Sequence, residues 1–260
     1  MTATIGGFDG MHLGHQELIK KADIIIVIEK NSNLTPGNDR CDYTNLPCKF
    51  YNLKEIKHLK ALEFIEILKK TGINKVVIGN DFRFGKNRSG DIDLLKKHFE
   101  TEIINEIKID GIGVHSKIIR EFIINAEIKK ANKFFGHTYK IKGVQIKGQG
   151  LGSKALVPTI NVKPTKNYCL PKKGVYITKT NNLPSLTFIG IRSTDNNFSI
   201  ETHILNGELR MENGEWKIEN ENDIFEIEFI DFLRENRKFD NLEELKKQIN
   251  NDIKQGRKWL

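Results

Sequence analysis

The sequence predicts two domains: an α/β domain built on a parallel sheet, followed by a small antiparallel β-barrel that ends in a helix. In the first half, apolar runs typical of strands covered on both faces alternate with stretches of helical periodicity. Beyond residue 135 the pattern changes to short β-rich segments separated by glycine and asparagine turns, which is typical of a small barrel. A length of 260 residues allows each domain a core of its own.

The α/β domain is expected to span residues 1–135. Its strands and helices alternate because parallel neighbours need a crossover between them. We expect strands at 3–5, 24–28, 75–78 and 103–107, and helices at 16–22, 61–70, 92–99, 116–125 and 128–135. The segment 30–50 contains Pro36, Gly37 and Pro47 and is expected to form a loop.

The barrel domain is expected to span residues 136–260. Its strands are expected at 139–146, 174–180, 186–191, 199–205 and 225–232. An amphipathic helix over 242–254 is expected to close the domain.

Composition and charge narrow the class of protein. Hydrophobic residues make up 38% and charged residues 29%, and no apolar run reaches the ~18 residues of a membrane span. No signal peptide is visible, so we expect a cytoplasmic protein. Cys41 and Cys48 could in principle form a disulfide, but reduced thiols are favoured there and at Cys169.

The net charge of +8 divides evenly between the two domains, since residues 1–135 carry 22 basic and 18 acidic residues and the rest carry 20 and 16. This even spread speaks against a nucleic-acid-binding face, so neither a nucleic-acid nor a membrane partner is expected, and the oligomeric state is left open.

The segment GGFDGMHLGH, residues 6–15, lies where the first strand meets the first helix. Such a junction presents backbone N–H groups and the positive end of a helix dipole to an anion, and Gly7 and Gly10 let the backbone approach phosphates. His12 and His15 stand about one helical turn apart, so both imidazoles can stabilise charge at the α-phosphate of ATP as pyrophosphate leaves. The alternative is a pair of ordinary surface or capping histidines.

This segment resembles the nucleotidyltransferase signature of bacterial FAD synthetases, and two further segments follow in the order of that family. VVIGNDFRFGKNRSGD, at 76–91, is similar to the family segment that lines the flavin and nucleotide site; by itself it would also fit a buried turn with solvated arginines. HSKIIR, at 115–120, resembles a phosphate-binding element with His115 and Lys117 in place of serine and threonine. Lys117 is predicted to bind phosphate as a point charge; its alternative is a solvated residue in a helix capped by Ser116.

Motifs in the barrel resemble riboflavin kinases. GQGLGSK, at 148–154, resembles their phosphate loop, for which a flexible tip is the alternative. PTIN, at 158–161, resembles the signature whose threonine and asparagine offer hard oxygen ligands to Mg²⁺. GIRST at 190–194 and ETHIL at 201–205 resemble the next turn and strand, and the resemblance makes Glu201 the base that accepts the proton of the riboflavin 5′-hydroxyl.

The resemblance implies a bifunctional enzyme whose Rossmann-like nucleotidyltransferase domain precedes a riboflavin kinase barrel. It implies phosphorylation of riboflavin to FMN and adenylylation of FMN to FAD, with ATP as co-substrate and Mg²⁺ as cofactor of both steps. The implied catalytic residues are Glu201, His12 and His15, and the implied metal ligands are Thr159 and Asn161. The implied ATP-binding residues are Gly7, Phe8, Asp9, Gly10, Ser116, Lys117, Arg120, Gly148, Gly150, Gly152, Ser153 and Lys154. The implied flavin-binding residues are Asp81, Phe82, Arg83, Phe84, Arg192, Arg234 and Phe239.

Two alternatives stay open at this point. One is a riboflavin kinase whose first domain has a weakened or altered transfer activity, since His115 and Lys117 depart from the family pattern. The other, from a different class, is a basic RNA-binding protein, which would require its positive charge to be focused on one face.

Overall fold

The computed structural model of the protein describes residues 1–147, 157–192, 194–205, 210–212, 215–217 and 224–259. The chain forms two compact units, one made of Met1–Ile119 with Phe134–Gly136 and the other of Arg120–Lys133 with His137–Leu260. A parallel sheet lies in the first unit and a closed antiparallel barrel in the second, so both predicted architectures are confirmed.

The first unit is an α/β fold. Its main strands are β1 (Thr2–Gly6), β2 (Ile24–Glu29), β3 (Cys48–Asn52), β4 (Lys75–Gly79) and β5 (Glu100–Ile104), and a small hairpin is formed by β6 (Lys108–Ile109) and β7 (Ile112–Gly113). Its helices are α1 (Leu13–Ile19), α2 (Leu53–Ile56), α3 (Ala61–Lys70) and α4 (Ile92–Lys96), and α5 (Ser116–Ile124) begins in it. The five main strands pair in parallel in the order β3-β2-β1-β4-β5.

The core of this unit lies against the sheet. The central residues of β2 and β4 are fully buried, as the continuous apolar runs of the sequence predict for strands covered on both faces. Phe64, Ile65 and Leu68 project from one face of α3 into this core, at the spacing that one helical stripe requires. The connections leave β1 toward β2 on one side and return to β4 on the other. This reversal opens a crevice at the carboxyl ends of β1 and β4, where open α/β sheets bind their ligands.

The helices expected at 16–22 and 92–99 instead span Leu13–Ile19 and Ile92–Lys96, and two further sequence expectations need correction in this unit. Residues 30–50 are not a loop throughout, because a 3₁₀ helix spans Gly37–Tyr43 and β3 begins at Cys48. The edge strand β3 is half exposed and contains Lys49 and Asn52, so it lacks the apolar run that marks a buried strand. The strand expected at 103–107 instead spans Glu100–Ile104. Within this strand, Glu102 forms an ion pair with Lys75 on the solvent side.

The second unit contains a six-stranded closed barrel. Its strands are β8 (Tyr139–Ile146), β9 (Ile160–Pro164), β10 (Gly174–Thr180), β11 (Leu183–Ile191), β12 (Phe198–Ile204) and β15 (Ile224–Glu235), closed in the order β10-β11-β12-β9-β8-β15. A separate hairpin is formed by β13 (Arg210–Glu212) and β14 (Glu215–Lys217). The helix α7 (Leu242–Gly256) belongs to this unit, as does α6 (Ile128–Phe135) up to Lys133. All barrel pairings are antiparallel.

The two faces of the barrel strands bury different kinds of side chain, apolar on one face and hydroxyl-bearing on the other. On one face Ile177 and Leu186 pack with Ile253 of α7. The opposite face carries a network of buried hydroxyls on three adjacent strands, with Thr178 bonded to Ser185 at 2.7 Å. The other members are Thr180, Thr187 and Thr202. Because each hydroxyl bonds to another, the buried oxygens are satisfied and hold β10, β11 and β12 in register.

Residues 120–133 belong to the second unit, although the sequence places them before the predicted boundary at residue 135. Asn132 helps to tie these residues to the barrel, because its side chain donates to the carbonyl of Phe229 and accepts from the backbone N–H of Tyr139, both at 2.8 Å. Lys129 adds an ion pair with Asp231 at 2.8 Å. A boundary at residue 135 therefore stays a prediction.

The three cysteines are free thiols. Burial, together with a hydrogen bond with Cys41, raises the pKa of Cys48 to about 12, so this thiol stays protonated at neutral pH. Across the described part of the chain, none of the helices combines the length and the apolar character needed to cross a membrane.

Candidate active sites

A cavity of about 640 Å³ opens at the carboxyl edge of the parallel sheet. Its lining comes from the ends of β1, β2, β4 and β5 and from the start of α5. The volume lies within the range that holds a small-molecule ligand. Lys30, Lys57, Arg83 and Arg88 line it against the carboxylates of Asp81 and Glu106, so the cavity favours an anionic ligand.

His12 and His15 lie side by side in this cavity. Their rings stack with centroids 3.6 Å apart and an angle of 18° between the planes; His12 is buried and His15 is half-buried. His12 is the N-cap of α1 and His15 follows in its first turn, so the predicted pairing of the two imidazoles is present. Phe8 packs edge-on against His15 at 5.2 Å.

Burial lowers the pKa of His15 well below its usual value, and electrostatic interactions with His12, Arg40, Lys30 and His115 lower it further. His15 is therefore a neutral imidazole at physiological pH. It can serve a phosphate as a hydrogen-bond donor through its one N–H, and not as a fixed cation.

This shift predicts a pH dependence of stability. The unfolded chain takes up a proton on His15 near pH 6.5, whereas the folded chain takes it up only at a lower pH. The contribution of His15 to the free energy of unfolding is therefore complete above pH 6.5 and is lost as the pH falls toward the lowered folded pKa. We expect the first unit to lose stability between about pH 6.5 and 5 more steeply in the wild type than in His15→Gln. Denaturant unfolding at several pH values measures both slopes, and equal slopes would contradict the shift.

The loop that carries these histidines is fixed by hydrogen bonds of its residues Asp9 and Gly10 with residues 34 and 35. The Asp9 carboxylate accepts from the backbone N–H of Leu34 at 2.9 Å and of Thr35 at 3.0 Å. The hydroxyl of Thr35 accepts from the backbone N–H of Gly10 at 2.7 Å. Asp9 and Gly10 are absent from the cavity lining, so the contacts they make shape the loop, and their direct binding of ATP stays a prediction.

Gly10 gives a test of how tightly this loop is packed. Its φ of +91° is in the left-handed region, and an added Cβ would lie 2.7 Å from Phe135 and 3.1 Å from Leu34. Gly10→Ala should lower the free energy of unfolding by about 2–4 kcal/mol, from backbone strain plus the steric clash. Gly72→Ala is the matched control, because its φ of +77° is similar but no described atom lies within 4 Å of the new Cβ. Denaturant titration measures the difference, and equal losses in both variants would show that packing at Gly10 is not tight.

The DFRFG segment contributes to the same cavity. Asp81, Phe82, Arg83 and Phe84 all line it, with Phe82 and Phe84 stacked at 5.8 Å. Phe84 is buried in the core as well, whereas Arg83 bonds Asp91 at 3.1 Å and stays half exposed. The segment is thus a buried turn and a cavity wall together, and its binding of flavin stays a prediction.

The start of α5 brings a different set of side chains from the one the sequence singles out. Ser116 lines the cavity, but its hydroxyl donates to the carbonyl of Asp9 at 2.7 Å. His115 also lines it, paired with Glu106 at 2.6 Å, which lowers the pKa of Glu106. Lys117 is exposed and absent from the lining, and Arg120 is absent from it too, so their contacts with ATP stay predictions.

The residues of the cavity wall that sequence reasoning did not single out include Lys30, Asn80, Asn105 and Glu106. Each follows one of the sheet strands β2, β4 or β5 within two residues. The rule that ligands bind beyond the carboxyl ends of parallel strands would have found them, once the strand ends were known.

A second polar cluster forms in the barrel around Glu201. Glu201 of β12 lies opposite Asn161 of β9 in the strand register. The guanidinium of Arg192 lies 3.4 Å from both side chains, and Asp195 holds it with bonds of 3.0 and 2.7 Å. Ser199 donates to Glu201 at 2.9 Å. Asp195 and Ser199 were not singled out, although the two-residue period of a strand places Ser199 on the same face as Glu201.

The PTIN segment is tied to the same strand. His203, two residues beyond Glu201, hydrogen-bonds the carbonyl of Pro158 at 2.7 Å, and burial lowers the pKa of His203. Thr159 and Asn161 flank the start of β9 beside this contact. Hydroxyl, amide and carboxylate oxygens are the donors that Mg²⁺ prefers when it is shared with phosphates, so the donor set here fits that ion.

Other predicted residues of the barrel have different surroundings. The Arg234 guanidinium binds the buried Asp252 of α7 through bonds of 2.6 to 3.0 Å, so this side chain anchors the helix. The ring of Phe239 lies 4.6 Å from the guanidinium of Arg237. Flavin binding by Arg234 and Phe239 stays a prediction. Five predicted ATP-binding residues lie outside the described residues: Gly148, Gly150, Gly152, Ser153 and Lys154.

Family models match both halves of the chain. The model for riboflavin kinase matches residues 135–260, and the model for FAD synthetase matches residues 1–34 and 46–120. The interval 35–45 lies outside both matches.

Curated relatives align over nearly the whole chain. A protein of Buchnera aphidicola subsp. Acyrthosiphon pisum is 31% identical over 284 residues, which cover 96% of this chain and 90% of the relative. Relatives from Pseudomonas fluorescens and Escherichia coli K12 are 27% and 25% identical, covering 98% and 99% of this chain and 91% and 92% of their own lengths. All three are named bifunctional riboflavin kinase/FMN adenylyltransferase.

A solved structure shares the fold. The crystal structure of a protein named as a macrolide-efflux protein from Streptococcus pneumoniae superposes with a TM-score of 0.84 at 20% identity, covering 100% of this chain and 94% of that one. At this identity the similarity concerns the fold alone.

Proposed function

The chain belongs to the family of bifunctional riboflavin kinase/FMN adenylyltransferases, and on that premise we propose that its first unit adenylylates FMN and its second unit phosphorylates riboflavin. The enzyme converts riboflavin to FMN and FMN to FAD. The observation that carries the division is that the FAD synthetase match falls on the unit with the parallel sheet and the riboflavin kinase match on the unit with the barrel.

In the first unit, ATP would occupy the cavity at the sheet edge with its α-phosphate beside His12 and His15. An oxygen of the FMN phosphate attacks this phosphorus, the bond to the β-phosphate breaks, and its electron pair leaves with pyrophosphate. Negative charge grows on the leaving group during this step. Imidazole N–H groups and the N-terminal N–H groups of α1 would stabilise it.

In the second unit, Glu201 would accept the proton of the riboflavin 5′-hydroxyl as that oxygen attacks the γ-phosphate of ATP. The bond between the γ-phosphorus and the bridging oxygen would break, and its electron pair would leave with ADP. Ser199 and Arg192 orient the Glu201 carboxylate. Thr159 and Asn161 would hold Mg²⁺, which neutralises charge on the ATP phosphates when bound. We place the enzyme in the cytoplasm, with small molecules as its partners.

A time course with the purified protein tests this function. Riboflavin, ATP and Mg²⁺ are supplied, and riboflavin, FMN and FAD are separated chromatographically. FMN should appear first and FAD should follow, with pyrophosphate formed in step with FAD. FMN that accumulates without FAD would favour the alternative in which the first unit has lost its transfer activity.

A further inference from the structure

Lys30 is a cationic side chain of the cavity wall that no motif of the sequence singles out. It directly follows β2, whose carboxyl end lies beside that of β1 in the sheet. Its Cε lies 3.2 Å and its Nζ 3.8 Å from the position that a Cβ on Gly7 would occupy. Lys30 therefore lies along the backbone of the loop that leads to His12, in space that a side chain at residue 7 would take.

The charge of Lys30 is available to a ligand. Arg83, another cation of the cavity wall, is paired with Asp91. Lys30 has no ion pair within the described ranges of the chain. It lies close enough to His15 to affect the imidazole electrostatically, which places its charge beside the histidine pair.

A partly buried ion pair, together with a backbone hydrogen bond, fixes the chain on both sides of Lys30. Arg40 is fully buried and donates to the Glu29 carboxylate at 2.5 Å and to the Gly37 carbonyl at 2.8 Å. The other oxygen of Glu29 accepts from the backbone N–H of Ser32 at 3.2 Å. Residues 29 and 32 are thus held, and Lys30 between them has a restricted range of positions. Arg40 lies in the interval 35–45, which is outside the residues that the FAD synthetase model matches.

We propose that Lys30 binds the β- and γ-phosphates of ATP during adenylylation of FMN, and that the Glu29–Arg40 pair positions it. This inference rests on the proposed function of the cavity as the adenylylation site. An ammonium group there meets the pyrophosphate portion, whose charge increases when the bond between the α- and β-phosphates breaks. The contact exists with bound ATP as well, so its loss is expected to weaken ATP binding.

The test uses Lys30→Ala and Lys30→Arg in the full-length enzyme, with Lys20→Ala as the matched control. Lys20 is likewise an exposed lysine of the first unit, but it is paired with Glu17 and lies outside the cavity wall. Loss of a charged hydrogen bond should raise the KM for ATP in FAD synthesis about 10–100-fold in Lys30→Ala, with a smaller change in Lys30→Arg. The affinity for pyrophosphate alone, measured by calorimetry, should fall in parallel. The KM for FMN and riboflavin phosphorylation should stay at wild-type values, which also shows that the variants fold.

Several results would overturn the assignment. An unchanged KM for ATP and unchanged pyrophosphate affinity in Lys30→Ala would remove Lys30 from the site. An equal rise in the KM for FMN would show a displaced loop instead of a lost phosphate contact. If His12→Ala and His15→Ala are impaired while Lys30→Ala is normal, only this inference fails; if all three are normal, the cavity itself is wrongly assigned.

A double-mutant cycle tests the positioning role of the ion pair. Glu29→Gln weakens the attachment of Arg40 without removing the Lys30 side chain. If Glu29 acts through Lys30, Glu29→Gln should raise the KM for ATP in the wild-type background but add little to Lys30→Ala. Additive effects of the two changes would show that the pair does not act through Lys30.

Discussion

Glu201→Gln is expected to reduce the turnover of riboflavin phosphorylation by about 10²–10⁴-fold, the usual contribution of a general base. Glutamine keeps the size of the side chain and accepts the Ser199 hydrogen bond of 2.9 Å, but it is too weak a base to take the hydroxyl proton. The side chain is one-fifth exposed in β12, so the change should leave the barrel folded. Riboflavin and ATP should bind nearly as before, so the loss should appear in kcat and not in KM.

The same variant tests the division of the two reactions. The first unit has its own cavity, so Glu201→Gln supplied with FMN and ATP should still form FAD at the wild-type rate. Glu228→Gln is the control, because Glu228 is also a half-buried glutamate of a barrel strand, β15. Wild-type phosphorylation in Glu201→Gln would remove Glu201 from its role as base. Loss of both activities together would contradict the assignment of one reaction to each unit.

The second large effect is expected at the histidine pair. His12→Ala and His15→Ala should each slow FMN adenylylation by about 10²–10³-fold, the loss typical of removing one preorganised donor to a developing charge. Since His15 is neutral, its contribution is a hydrogen bond, and His15→Gln, which retains an N–H donor, should recover part of the rate. Riboflavin phosphorylation should be unaffected in all three variants.

The two rings contact each other, so their effects should not be independent. With centroids 3.6 Å apart, removal of one ring frees the other to move, and the double alanine variant should lose less than the product of the single losses. His98→Ala is the control, because His98 belongs to the first unit but not to the cavity wall. Near-normal FAD synthesis in both single variants would overturn the assignment of the adenylylation site.

The sequence by itself determined the architecture and the main motifs. The strand β2 and the helix α3 were predictable because each carries an apolar pattern typical of its type: a short continuous run in β2 and a stripe at helical spacing in α3. The glycines and histidines of residues 6–15 were enough to predict a phosphate-binding junction, because the groups that would bind phosphate are close together in the chain.

Only the tertiary structure decided which side chains meet across the chain. Lys30 and Glu106 reach the cavity because four strand ends meet at one edge of the sheet, and their neighbours in sequence carry no sign of it. Ser116 and Arg234 have residue types suited to phosphate or flavin, yet Ser116 bonds Asp9 and Arg234 bonds Asp252. A hydroxyl or a guanidinium takes whichever partner the fold brings within hydrogen-bonding distance, and that partner lies more than 15 residues away in both cases. Local patterns determine which elements form, whereas polar contacts of long sequence separation depend on how those elements pack.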